Sequence, residues 1–220
     1  MNEIILGSVE YRMWGLNAPT VSACATFVLT IAIGWTIWLQ ARKIWSEKKG
    51  QSMSVPWFIY FLFFNFTFFL YGVETNSLAK SFNGGVHSLM HVPVVIGLWK
   101  YKGFGRAEWT LLAITPLMIP AMLFIPWKGA VFAILFILAL MSAATQPLEL
   151  YRTKKPGTLE PRLVGGFATS GIFWTIFAIS TNDRGMMFSM PVAVLVHGTT
   201  LVLWLKYRRQ AQSAPVAEPV

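Results

Sequence analysis

Charge is what this chain has least of. Only 12% of its 220 residues are Asp, Glu, Lys or Arg, against the ~25% that keeps the surface of a soluble domain solvated. Cysteine is reduced to Cys24, which excludes an intramolecular disulfide. No Cys/His cluster has the spacing of metal ligands, so neither a metal nor a cofactor is expected. The start, Met-Asn-Glu-Ile-Ile, offers no basic n-region and no small-residue cleavage site, so no removable signal peptide is expected. A phosphate-cradling Gly-rich loop and a Ser/His/Asp trio are both missing, which argues against an enzyme. The nine acidic residues, from Glu3 to Glu218, fall in loops or near the ends of apolar runs. No carboxylate is therefore expected at mid-membrane depth, where a proton-coupled carrier usually needs one.

What fills the gap is apolar. The chain is 55% hydrophobic, with 17 Phe and 10 Trp, so lipid is the expected solvent. A helix needs about 20 apolar residues to cross the hydrocarbon core. Seven such runs occur, at about 20–40, 55–73, 83–100, 108–126, 129–146, 163–180 and 187–205. Backbone groups cannot stay unpaired in lipid, so each run is expected to be a helix. That reading holds even for 57–71, whose aromatic and β-branched content would suggest a strand in water.

The chain also repeats itself. Residues 29–101 shifted by 106 positions land on 135–207 without a gap. Gln40 then meets Gln146, Lys48-Lys49 meets Lys154-Lys155, Thr75-Asn76 meets Thr181-Asn182, His91 meets His197 and Lys100-Tyr101 meets Lys206-Tyr207. A biased apolar composition produces chance Leu and Phe matches, but not paired Gln, Thr-Asn and His at one offset. The fold expected is an all-α integral membrane protein of seven transmembrane helices, arranged 3+1+3. Its parts are an extracytoplasmic segment (1–19), a first three-helix repeat (20–103), a linker helix (104–127), a second repeat (128–208) and a disordered tail (209–220). An odd number of crossings in each repeat, plus one linker, makes the repeats parallel. Pro116 and Pro120 are expected to kink the linker helix.

Basic residues give the orientation. The segments after the first, third, fifth and seventh runs carry fourteen Lys and Arg, while the opposite side holds Arg12, Lys80, Lys128 and Arg184. By the positive-inside rule this puts the N-terminus outside and the C-terminus in the cytoplasm of a plasma (inner) membrane. The net charge of +9 is thus read as topology, with acidic-lipid contact as a second use and no nucleic acid as partner.

The motifs carry a family resemblance. In the first copy they are Leu39-Gln40, Lys43, Lys48-Lys49, Phe68-x-x-Tyr71-Gly72 and Asn83-Gly84; in the second, Gln146-Pro147, Lys154-Lys155, Trp174 and Ser189. From about residue 20 to 208 the chain resembles the PQ-loop superfamily, which includes the SWEET sugar transporters. That family has Trp-x-x-Tyr-Gly on the second helix and Asn on the third of both halves. Here Phe68 stands for Trp, Phe177-Ala178 for Tyr-Gly, and Ser189 for Asn. The resemblance implies substrate contacts at Asn83 and Trp174 and, by position, at Ser189 and Phe68. It also implies a hinge or gate for alternating access at Gln40, Gln146, Pro147 and Tyr71.

Residue chemistry adds to that set. Asn83, His87 and His91 recur every four residues and share one helix face, and Ser189 and His197 share the equivalent face of the last helix. With Asn65 and Thr175 they form polar stripes that would be costly in lipid unless they face a cavity or each other. They either line a pathway or hydrogen-bond between helices as packing glue, each bond worth about 0.6 kcal/mol. The function expected is transport of a small polar metabolite, by the resemblance a sugar, through facilitated diffusion. Two alternatives stay open: a carrier of amino acids or other amines coupled through His91 or His197, and a non-transporting receptor or lipid-handling protein on the same scaffold. Gly165-Gly166 and Ser170-Gly171 permit close helix contact, within one chain or in a homo-oligomer.

Overall fold

The computed structural model describes residues 5–213. Seven long helices follow one another: α1 (Ala18–Glu47), α2 (Val55–Glu74), α3 (Leu78–Tyr101), α4 (Arg106–Phe124), α5 (Lys128–Thr153), α6 (Pro161–Ser180) and α7 (Ser189–Ser213). Six are long and apolar enough to cross a membrane. The exception, α3, has 24 residues, about 36 Å at 1.5 Å per residue, but Lys80, Ser81, Asn83, His87, Ser88 and His91 dilute its apolar character. Nearly all of these side chains are buried.

Local signals set the helix ends. Asn17, Ser54 and Ser77 cap α1, α2 and α3, each accepting a backbone N–H from the first turn, and Pro19, Pro56 and Pro161 occupy first-turn positions where no N–H is needed. Lys48 and Lys154 end α1 and α5 in the left-handed conformation, at φ 52° and 50°. Asn76 (φ 49°) and Asn182 (φ 54°) make the turns after α2 and α6, where Thr75 and Thr181 donate their hydroxyls to Tyr71 O and Phe177 O. The repeated Lys and Thr-Asn pairs are therefore turn chemistry. The 3₁₀ turn Thr115–Leu117 interrupts α4 at Pro116.

Packing closes six helices into a ring in the order α1, α3, α2, α5, α7, α6, with α4 laid against α2. Close crossings rely on glycine, but the glycine changes sides. On α3, a Cβ at Gly84 would overlap the Phe69 amide nitrogen and the Asn65 carbonyl of α2. At the corresponding crossing it is α6 that carries the glycine, Gly171, beneath Val194 and Met190 of α7. Gly166 similarly admits Ile33 of α1, so these small residues serve contacts within the chain.

The surface inverts that of a soluble protein. Leu89 and Leu195 are 71% and 69% exposed, whereas Thr26, Thr30, Gln40, Asn65, His87, His91 and Gln146 are buried. Apolar outside and polar inside is the arrangement that lipid demands. This is an integral membrane protein.

Two boundaries differ from expectation. Gln40 and Gln146 do not end their helices, since α1 and α5 each run seven residues further. The helix continues six residues past Pro147, whose missing N–H does not stop it. The tail expected to be disordered from 209 is helical as far as Ser213, and 214–220 lie outside the described residues, as do 1–4. Within the segment before α1, Val9–Arg12 forms a helical turn whose Glu10 carboxylate accepts hydrogen bonds from Ser77 Oγ (2.6 Å), Leu78 N (3.0 Å) and Ala79 N (3.0 Å) at the start of α3.

Candidate functional site

The ring encloses a cavity between two aromatic layers. Phe61 on α2 meets its repeat equivalent Phe167 on α6 at 5.9 Å, and seven residues further along Phe68 meets its equivalent Trp174 at 5.3 Å, edge to face. Equivalent residues that touch each other lie on a local two-fold axis. Two helical turns separate the layers by about 10 Å, and between them the lining includes Asn65, Asn83, His87, Ser170 and His197. No lining residue is charged. The free volume is about 60 Å³, room for a few waters and well below the ~300–1,000 Å³ of a typical ligand pocket. In this state the cavity is too narrow for such a ligand.

Four of these five polar side chains have a definite partner. Asn83 donates to Thr30 Oγ1 on α1 (2.8 Å), and His87 Nε2 lies 3.2 Å from the Thr30 carbonyl. Both therefore tie α3 to α1 while lining the cavity. Asn65 donates back to Phe61 O (2.7 Å), which leaves its carbonyl oxygen uncommitted by that bond. His197 stacks on Phe167 at 5.1 Å.

The structure divides the expected residues. Asn65, Phe68, Asn83, His87, Trp174 and His197 come together in the lining. His91 does not: it sits behind, packed on Phe58 and Phe61, with Nδ1 2.6 Å from His87 O and Nε2 buried without a partner. Ser189 is also elsewhere. Its hydroxyl bonds Gly185 O at 3.1 Å, and it lines an outward groove between α5 and α7. Thr175 turns its hydroxyl onto Gly171 O of its own helix. The i, i+4 spacing chose the right face of α3 but not how deep along it the cavity reaches.

Both ends of the cavity are bridged. At one end Gln40 donates to Thr158 O (3.1 Å) and accepts from Glu160 N (2.7 Å), while Gln146 donates to Ser52 O (2.8 Å) and accepts from Ser54 N (2.8 Å). These contacts are related by the same 106-residue offset, so each glutamine holds the loop of the opposite half. At the other end Asp183 accepts from Tyr71 Oη (2.9 Å) and pairs with Lys80 Nζ (2.5 Å), with the two charged side chains 7% and 4% exposed. Lys80 also donates to Thr75 Oγ1 and lies 4.8 Å from the Tyr71 ring centre, and that ring stacks on Phe132 of α5 at 4.2 Å. Tyr71 stood out in the sequence; Lys80 and Asp183 did not, because neither repeats at the offset and each reads as a loop charge.

The fold and the cavity together define a helical membrane protein with a narrow, uncharged chamber at its centre. No family model matches the chain, and no curated protein matches it in sequence. Among solved structures, that of a eukaryotic SWEET transporter superposes with a TM-score of 0.60 over 87% of this chain and 97% of that one, at 13% identity. At that identity the likeness is one of fold.

Proposed function

We propose that this chain is a SWEET-like membrane transporter that carries a small uncharged polar metabolite, a sugar, by alternating access. In this reading residues 20–103 and 128–208 are parallel three-helix units, joined by the linker 104–127 and oriented with the N-terminus outside. The observation that carries it is the central chamber, neutral and flanked at both ends by contacts that bridge the two halves. Rocking one unit against the other would break the Gln40 and Gln146 contacts while keeping Lys80–Asp183, or the reverse, exposing the same chamber to one side at a time.

The lining supports the substrate class. An ion entering it would lose its hydration with no opposite charge to meet it. A sugar instead offers hydroxyls to Asn83, Asn65, Ser170 and His197 and an apolar ring face to Trp174 and Phe68. An ammonium substrate would find no carboxylate there, which favours the sugar over the amine. The test is counterflow of labelled hexoses, disaccharides and amino acids in proteoliposomes. Saturable sugar flux that is lost in Trp174→Ala supports the reading. Flux of amino acids alone, or of nothing, overturns it.

A further inference from the structure

Two grooves on the outer surface repeat with the chain. One lies between α1 and α3, the other between α5 and α7, and every residue lining the first falls, at an offset of 106, on a residue lining the second. Ile31 and Val86 are preserved as Ile137 and Val192. Four exchanges break the symmetry: Gly34 becomes Leu140, Trp35 becomes Met141, Trp38 becomes Ala144 and Met90 becomes Val196. The first groove, lined by two indoles, has about 490 Å³ and the second about 610 Å³, both within the ~300–1,000 Å³ range of sites that hold a whole small molecule.

The second groove also has a charged end. Arg184 lines its mouth, on the face where Lys80 and Asp183 lie, and is the one charged residue in a lining that is apolar but for Ser189. The oxygens of neighbouring Asp183 are engaged by Lys80, Tyr71 and the Gly185 N–H, and Arg184 forms no ion pair among the described residues. The equivalent of Arg184 at the offset is Leu78, and no charged residue lines the first groove. From Ala133 to Ala144 the groove follows about 16 Å of α5, close to one leaflet of a ~30 Å hydrocarbon core.

We propose that the α5–α7 groove holds one resident phospholipid, with an acyl chain packed along Ile137, Ala144 and Val192 and its phosphate on the Arg184 guanidinium. A guanidinium at the interface matches a phosphate in charge and in paired hydrogen bonds. The groove between α1 and α3 has no cation in its lining and takes no such lipid.

Native mass spectrometry of the detergent-solubilised chain with added palmitoyl-oleoyl phosphatidylglycerol tests this. The expected result is one retained lipid per chain, weakened about tenfold by Arg184→Gln or when diacylglycerol replaces the phospholipid. Ala144→Trp, which copies the indole of the first groove, is expected to remove it while the oligomeric state stays the same. Because Arg184 is exposed, Arg184→Gln is decisive even if the tryptophan variant misfolds. Retention unchanged in Arg184→Gln overturns the proposal. So does a change of oligomeric state in Ala144→Trp, which would make the groove an interface between copies of the chain.

Discussion

Gln40 and Gln146, 106 positions apart, each hold the loop that follows the other's helix. Each side chain donates to one loop carbonyl and accepts from one loop N–H, so both ends of the amide are used. Glutamine suits this task because it carries a donor and an acceptor on one planar group. Leucine in place of Gln40 would strand Thr158 O and Glu160 N, at about 1–3 kcal/mol for each buried group left unpaired. Glutamate would also set an oxygen against the Thr158 carbonyl. Thermal unfolding in detergent should therefore rank the native chain above Gln40→Leu and that above Gln40→Glu, with the same order at Gln146.

Lys80 and Asp183 form the opposite closure, a buried pair. Removing one partner leaves a charge without compensation, typically at 3–5 kcal/mol, whereas removing both costs far less. Lys80→Met alone should lower the unfolding midpoint more than Lys80→Met combined with Asp183→Leu. Additive losses would mean that the two charges are not coupled.

Glycine substitutions should have opposite signs at two sites on the ring. At Gly84 a Cβ collides with the backbone of α2, so Gly84→Ala must push the helices apart and should cost about 1–3 kcal/mol. Around Gly198 there is open space, and Gly198→Ala should stabilise by up to about 0.5–1 kcal/mol through the smaller loss of chain entropy. Unfolding midpoints of the two variants, measured side by side, check this.

Glu10 braces α3 from outside the ring. Alanine removes all three of its accepted hydrogen bonds, whereas glutamine keeps an acceptor for part of them. The expected order of stability is Glu10, then Glu10→Gln, then Glu10→Ala, with the last about 1–3 kcal/mol down. A readout by hydrogen exchange at Leu78 and Ala79 should show faster exchange in Glu10→Ala.

Much of this architecture could be read from the chain, and particular residues show why the rest could not. Apolar run length located the helices because lipid leaves the backbone no alternative. The 106-residue offset paired Gln40 with Gln146 but not with the loops they hold, since each contact crosses between the halves. Lys80–Asp183 breaks that symmetry and joins residues 103 apart, so no local pattern announced it. Ser170-Gly171 stood out in the sequence as a place for close helix contact, but Gly84 did not, because the two do the same work on non-equivalent helices. His91 and Ser189 share faces with cavity residues but lie beyond the reach of the chamber, and only packing fixes that depth.

The most direct test is side-specific labelling of the chamber. With Cys24→Ser as background, Ser170→Cys places a single thiol at a cavity position that is 4% exposed. A membrane-impermeant thiol reagent is then applied to each face of sealed vesicles in turn. Lys80→Met should increase labelling from the face where Lys80 and Asp183 lie, and Gln40→Leu with Gln146→Leu should increase it from the other face. Labelling raised from both faces by either change, or from neither, would contradict a chamber that opens to one side at a time.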